Sequence, residues 1–282
     1  MTVIRLGLIG DNIAPSRAPT LHGLAGRLTG LEIRYDLLVP KDLGLGFDRL
    51  FDRCAGEGYR GVNVTYPYKQ RAAARSRIDD PLVRAIAAVN TVVFDDVPPV
   101  GFNTDHSGFI AGYRETRKSA LPGVVCLIGA GGAGRAVAFG LVSLGATEIR
   151  LVERDAALAE ALAAALRAAA PDIAVAVSGD PAAAAAGAQG ILNCSPVGMV
   201  GHAGTPLPKG SFAGASWAFD AVYTPLETRF LQDARAAGLT TISGFELFFH
   251  QGVKAFEVFT GERPDAAVLR AAVRKAWDAG SA

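Results

Sequence analysis

The chain has 282 residues, half of them hydrophobic and 20% charged, with 28 basic against 27 acidic side chains. This composition supports a substantial core and excludes a disordered or fibrous chain. Neither sign of charge clusters into the stripe that nucleic acid attracts, and no apolar run approaches the roughly 18–20 residues that cross a bilayer.

The opening run MTVIRLGLIG reads as a strand over 3–9 ending in glycine, with no cleavage site behind it, so no signal peptide is expected. Further strands are expected at 33–39, 61–65 and 91–94, each rich in Val, Ile, Leu or Tyr and bounded by Gly, Pro or Asp. Helical spacing occupies the stretches near 19–29, 41–57 and 79–88. Strands alternating with helices imply βαβ units and a mainly parallel sheet. A denser α/β pattern begins near residue 122. Strands at 124–128, 148–152, 173–177, 190–193, 218–221 and 240–242 alternate with helices. The helix over 156–170 repeats Leu158, Leu162 and Leu166 at every fourth position. Six strands with helical crossovers match a doubly wound dinucleotide fold. From Gly244 the chain turns helical again after that fold is complete, so this tail is expected to return to the first domain. The expected organisation is α/β in two domains. A substrate domain comprises 1–110 plus 245–282, and a Rossmann NAD(P)-binding domain comprises 111–244.

Cys54, Cys126 and Cys194 are scattered and form no CxxC pair, which fits a reducing cytoplasm better than a disulfide framework. His22, His106, His202 and His250 lack metal-ligand spacing, so no metal is expected.

The run Gly129-Ala130-Gly131-Gly132-Ala133-Gly134 follows an apolar strand and opens a helix. That context makes a GxGxxG informative. Gly129 allows the tight turn, Gly131 lets backbone approach a pyrophosphate, and Gly134 lets helix pack on strand. Unpaired N–H groups and the helix dipole favour the phosphates. Glu153 stands at the end of the next strand, where an acid accepts hydrogen bonds from ribose hydroxyls and repels a 2′-phosphate. This favours NAD, with NADP possible because Arg154 is adjacent.

Three motifs in the first domain are unusually polar. In Gly61-Val62-Asn63-Val64-Thr65-Tyr66-Pro67-Tyr68-Lys69, Asn63 and Thr65 share a strand face, and Pro67 stops the strand. Lys69 then lies past the strand's carboxyl end, where open α/β sheets place ligands. The second motif is Ala88-Val89-Asn90-Thr91. The third, 101–109, reads as a tight polar loop carrying Asp105. Each has a bland reading as surface lysine, turn or N-cap. Beside a dinucleotide fingerprint they suggest alcohol oxidation, in which a lysine takes the hydroxyl proton as hydride leaves.

The segments NVTYPYKQ (63–70), AVNTVV (88–93), GFNTDHSGF (101–109), GAGGAGRA (129–136), NCSPVGM (193–199), DAVYTPLET (220–228) and GFELFFHQGVKAF (244–256) occur in one order. Together they resemble the shikimate/quinate dehydrogenase family over most of the chain. The resemblance implies Lys69 as catalytic acid/base with Asp105 as its partner. It implies Thr65, Asn90 and Gln251 on the substrate hydroxyls, and Ser16 on its carboxylate with Tyr223 nearby. Ser195 within 194–199, Val222 and Gly244 would line the nicotinamide side of the cofactor. His250 is read as packing or helix surface. The chain departs from the family's Ser-x-Ser or Ser-x-Thr pair, having Ser16-Arg17-Ala18. One hydroxyl fewer near a carboxylate weakens that contact by roughly 0.5–3 kcal/mol. PYKQ with Glu153 is more similar to NAD-using quinate/shikimate members than to NADP-using ones. Hydride transfer to a hydroxylated cyclohexene or cyclohexane carboxylate is the expected activity, in a monomer or homodimer with no nucleic-acid or membrane partner. The same chemistry on an aminated ring, motivated by Ala18, and a non-catalytic NAD-binding regulator are the alternatives.

Overall fold

The branched and aromatic runs of the first hundred residues form strands, and the segments with helical spacing form the crossovers. The elements are β1 (Val3–Ile9), α1 (Ala18–Thr29), β2 (Glu32–Leu38), α2 (Phe47–Gly56), β3 (Gly61–Val64), α3 (Lys69–Ala74), α4 (Pro81–Ile86), β4 (Thr91–Val93) and β5 (Val100–Phe102). In the computed structural model, which describes residues 3–279, these strands form one sheet in the order β2-β1-β3-β4-β5. β1 runs parallel to β2 and β3, whereas β3–β4 and β4–β5 are antiparallel. Helical crossovers α1 and α2 return the chain in the same direction. The short link 94–99 between β4 and β5 is too brief for a crossover, so β5 runs antiparallel to β4. α2 buries Phe47, Leu50, Phe51 and Cys54, an i, i+3, i+4, i+7 stripe, against this sheet's Val62, Val64 and Val92.

The next helix, α5 (Thr104–Arg117), leads into β6 (Val124–Ile128), α6 (Gly132–Ser143), β7 (Glu148–Val152), α7 (Ala156–Ala169), β8 (Ala174–Ser178), α8 (Pro181–Ala185), β9 (Gly190–Asn193), β10 (Trp217–Asp220), α9 (Arg229–Ala236) and β11 (Thr240–Ile242). These six strands are all parallel, in the order β11-β10-β9-β6-β7-β8. β9 and β10 are buried throughout, as parallel strands covered on both faces should be. The chain ends in α10 (Gly244–Thr260) and α11 (Ala266–Ala279).

The residues separate into two units, one running to Thr104 and resuming at Gln251, the other Asp105–His250. The divisions lie a few residues from the expected 110 and 244. α5 groups with the second unit because Phe109 and Tyr113 pack edge-on against Phe219 and Trp217, with centroids 5.0 Å apart in each pair. α10 is shared: its Phe248 stacks on Tyr223 of the second unit, and the Phe259 carbonyl accepts from Arg60 Nε in the first. Among the described residues no helix is long and apolar enough to cross a membrane.

Candidate active site

In the second unit the glycine turn sits at the carboxyl end of β6, where the strand order reverses between β6 and β9. That is the crevice in which doubly wound sheets take ligands. Gly129 has φ +104, and a Cβ there would lie 2.6 Å from the Cys194 carbonyl carbon. The turn is therefore pressed against the chain leaving β9. A Cβ on Gly134 would lie 2.0 Å from the Gly129 oxygen, so helix α6 closes directly onto the turn. Gly131 differs: a Cβ there meets nothing within 4 Å. It is the N-cap of α6 and offers no side chain to the first-turn N–H groups. An open space in front of uncapped N–H groups fits a pyrophosphate. Gly132 and Ala133 form the first helical turn.

Glu153 lies just beyond β7 and folds back over this turn. Its Oε2 accepts from Ala130 N–H at 2.9 Å and its Oε1 from Arg154 N–H at 2.7 Å. Oε1 also accepts from Asp155 N–H at 3.3 Å, so it is Oε2 that keeps a lone pair for a further donor, as a ribose acid requires. Ser195 is anchored by Asn193, whose Oδ1 accepts from the Ser195 hydroxyl at 2.6 Å and its N–H at 3.1 Å. Val222 is buried, and a Cβ on Gly244 would lie 2.3 Å from its carbonyl oxygen, so α10 starts flush against that loop. Tyr223 stacks on Phe248 at 5.0 Å.

Sequence reasoning did not single out the group that braces these loops. Asp220 is wholly buried at the end of β10. Its Oδ1 accepts from Asn193 Nδ2 and Val222 N–H, both at 3.0 Å, and its Oδ2 from the Thr228 hydroxyl at 2.5 Å. Burial pushes its carboxyl up to about 6, against the pull of those three donors. The available signal was a polar residue closing each of two apolar strands, GILN and WAFD.

In the first unit β3 ends at Val64, and Thr65 N–H donates to the Ile9 carbonyl at 2.9 Å. The turn from Thr65 closes by Tyr68 N–H to the Thr65 carbonyl and places Lys69 at the start of α3, half-buried. The Lys69 carbonyl accepts from Val89 N–H at 2.9 Å, which holds the lysine backbone beside Asn90. Asn90 is buried, its Nδ2 donating to Thr104 Oγ1 at 2.9 Å and its Oδ1 accepting from Thr104 N–H at 2.7 Å. Thr104 Oγ1 lies 3.5 Å from Gln251 Oε1 on α10. Thr65, Lys69, Asn90 and Gln251 thus belong to one unit and are tied by its backbone and this polar chain. Ser16 Oγ accepts from Ala18 N–H at 3.3 Å, leaving its own O–H to donate. The Arg17 guanidinium lies 5.7 Å over the Trp277 ring of α11.

Asp105 is buried in the first turn of α5, in the second unit. The expected loop over 101–109 is instead the end of β5 followed by helix. An acid in a first helical turn is favoured by the dipole, and Phe109 and Tyr113 supply the buried face that carries the helix on. His250 faces Glu115, Nε2 to Oε2 at 2.8 Å, and with Glu246 these side chains bring their ligand-type atoms within 4.8 Å of one another.

The shikimate dehydrogenase substrate binding domain family matches residues 8–92, and the shikimate 5′-dehydrogenase C-terminal domain family matches 244–274. The quinate/shikimate dehydrogenase (NAD(+)) of Corynebacterium efficiens is 39% identical over 278 residues, 95% of this chain and 96% of that protein. The shikimate dehydrogenase (NADP(+)) of Streptomyces avermitilis is 39% identical over 272 residues, 92% of this chain and 91% of its own. The solved quinate dehydrogenase from Corynebacterium glutamicum in complex with NAD superposes with a TM-score of 0.86 at 35% identity. That match covers 97% of this chain and all of the other. On this likeness along nearly its whole length, the chain belongs to the shikimate/quinate dehydrogenase family.

Proposed function

We propose that this chain moves hydride between NAD(P) and a ring hydroxyl of a hydroxylated cyclohexene or cyclohexane carboxylate, shikimate or quinate. The first unit, with its α10–α11 return, holds the substrate, and the second holds the dinucleotide. The observation that carries this assignment is the pairing of an open, uncapped glycine turn in one unit with a backbone-anchored lysine among buried amides in the other.

When bound, the nicotinamide supplies the hydride acceptor or donor. In the oxidation direction Lys69 takes the hydroxyl proton on Nζ, and in reduction it returns it. Asp105 is assigned as the carboxylate partner of that lysine, on the GFNTDHSGF motif and its burial at the start of α5. Thr65, Asn90 and Gln251 bond the remaining ring hydroxyls and fix which one faces the lysine. Ser16 donates its O–H to the ring carboxylate, and Ala18 offers that carboxylate no second hydroxyl. Glu153 accepts from the adenosine ribose and opposes a 2′-phosphate, which favours NAD. Val222, Ser195 and Gly244 are assigned to the nicotinamide side, where they exclude water, and Tyr223 is assigned to the substrate.

The test is a panel of quinate, shikimate and an aminated ring analogue, each assayed with NAD and NADP by nicotinamide absorbance. The highest kcat/KM is expected for a hydroxylated acid with NAD. No turnover of either hydroxylated acid with either cofactor would overturn the reading.

A further inference from the structure

Each sheet ends in two edge strands, and one of the four is unlike the rest. β5 and β11 have three residues each and β8 has five, whereas β2 runs for seven, Glu32–Leu38. A long edge offers a row of main-chain groups to another chain unless proline, lysine or a bulge blunts it. β2 carries no proline and no lysine, and it pairs residue for residue with Val3–Ile9, without a bulge. Among the described residues β1 is its only strand neighbour. Exposed large apolar side chains accompany it: Leu37 on the strand, Leu28 in the last turn of α1 just before it, and Leu43 in the loop just after it.

The bonding of β1 shows which groups β2 turns outward. Gly10 N–H, just past β1, donates to the Leu38 carbonyl at 3.4 Å, so the main chain of Leu38 faces β1. Main-chain groups alternate sides along a strand, so those of Ile33 and Leu37 face the outer edge. A second copy of the strand, run antiparallel about a two-fold axis beside Tyr35, pairs all seven residues. Ile33 then meets the partner's Leu37 on one face. On the other face Arg34 stands opposite the partner's Asp36, and Asp36 opposite the partner's Arg34. Within the chain Arg34 Nε lies 3.3 Å from Asp36 Oδ1, so these four charges alternate in sign around the axis. Arg5 Nε at 3.1 Å and the Tyr59 hydroxyl at 2.7 Å both donate to Asp36 Oδ2 and hold that carboxylate in place. Moving the axis by one residue sets Arg34 against itself or Asp36 against itself, and directly opposed like charges are destabilising. The charges therefore select one register.

We propose that β2 is the self-association edge of this protein. Two copies join β2 to β2, antiparallel and centred on Tyr35, and continue one sheet through both first units. The interface is isologous, so every contact is made twice. It lies wholly on the first unit and requires neither substrate nor cofactor, so it stands apart from the reading of the reaction.

Sedimentation velocity over a series of chain concentrations, with the full chain and no ligand, tests it on wild type, Arg34→Glu and Leu37→Pro. Wild type should reach the mass of two chains as concentration rises. Arg34→Glu turns both pairs across the axis from opposite to like charge and should raise the dissociation constant about tenfold or more. Leu37→Pro deletes an outward N–H that β1 does not use, a place where an edge strand tolerates proline. It should keep the wild-type melting temperature and lose the dimer. If it fails to fold, Leu37→Lys takes its place, since a lysine on the same edge blocks pairing while leaving every N–H intact. A wild type that keeps the mass of one chain at every concentration would overturn the proposal. So would a folded Arg34→Glu or Leu37 variant that dimerises as wild type does, which would put the contact on another surface.

Discussion

The glycine turn permits a prediction in which binding and stability come apart. At Gly131 a Cβ would meet nothing within 4 Å, and φ of −66 is ordinary for any residue. Gly131→Ala therefore strains nothing, and the loss of a glycine N-cap costs at most about 1 kcal/mol. The methyl would stand where the pyrophosphate must approach the first-turn N–H groups. Losing one charge-assisted hydrogen bond there, worth roughly 1.5–3 kcal/mol, weakens NADH about 10- to 200-fold. At Gly134 the same methyl would lie 2.0 Å from the Gly129 oxygen, backbone against backbone, with nothing flexible to give. Gly134→Ala should cost about 1–3 kcal/mol of stability and lower the melting midpoint of the second unit by several degrees. The assay is NADH fluorescence titration beside a circular-dichroism melt for each variant. A Gly131→Ala protein that binds NADH like wild type would refute the pyrophosphate placement. A Gly134→Ala protein that melts like wild type would refute the closure of α6 on the turn.

Asp220 gives a pH prediction. Its folded-state pKa of about 6 exceeds the ordinary 3.8, so the folded form favours the protonated acid. The stability it confers is complete below about pH 4 and is lost as pH rises through about 6, a change on the order of 3 kcal/mol. Asp220→Asn does not titrate, so the difference in urea midpoint between wild type and variant should shift in the variant's favour between pH 4 and pH 7. A pH-independent difference would show that the carboxyl is ionised at no cost. Glu153→Ala removes the acceptor of Ala130 N–H and, in the proposed role, that of the ribose hydroxyls. NAD affinity should fall about tenfold with a smaller loss for NADP, because like-charge repulsion with the 2′-phosphate goes too. An unchanged NAD-to-NADP ratio would remove Glu153 from cofactor choice.

The parts written locally in the sequence were the ones that could be read there. The six strands of the second sheet, the glycine turn and Glu153 follow from periodicity and short spacing. β5 escaped because Val-Gly-Phe behind two prolines is too short to show a period. Asp105 was read as part of a loop because Asn-Thr-Asp suits a turn, and only the packing of Phe109 and Tyr113 on the second sheet makes the segment a helix. The bracing groups were hidden for a different reason. Asn193 meets Asp220 across adjacent strands, and Asn63 meets Tyr35 of β2 and the carbonyl of Asn90. Each looks like a stray polar residue in an apolar run until the sheet brings its partners alongside.

Turnover after removing the proposed acid/base tests the central claim most directly. Lys69→Ala, assayed with quinate or shikimate and NAD, should lose roughly 10²–10⁴ in kcat. NADH affinity and melting temperature should stay at wild-type values, because the side chain lies on the half-buried first turn of α3, in the unit without the glycine turn. Turnover within a few-fold of wild type would take the proton transfer away from Lys69 and contradict the account.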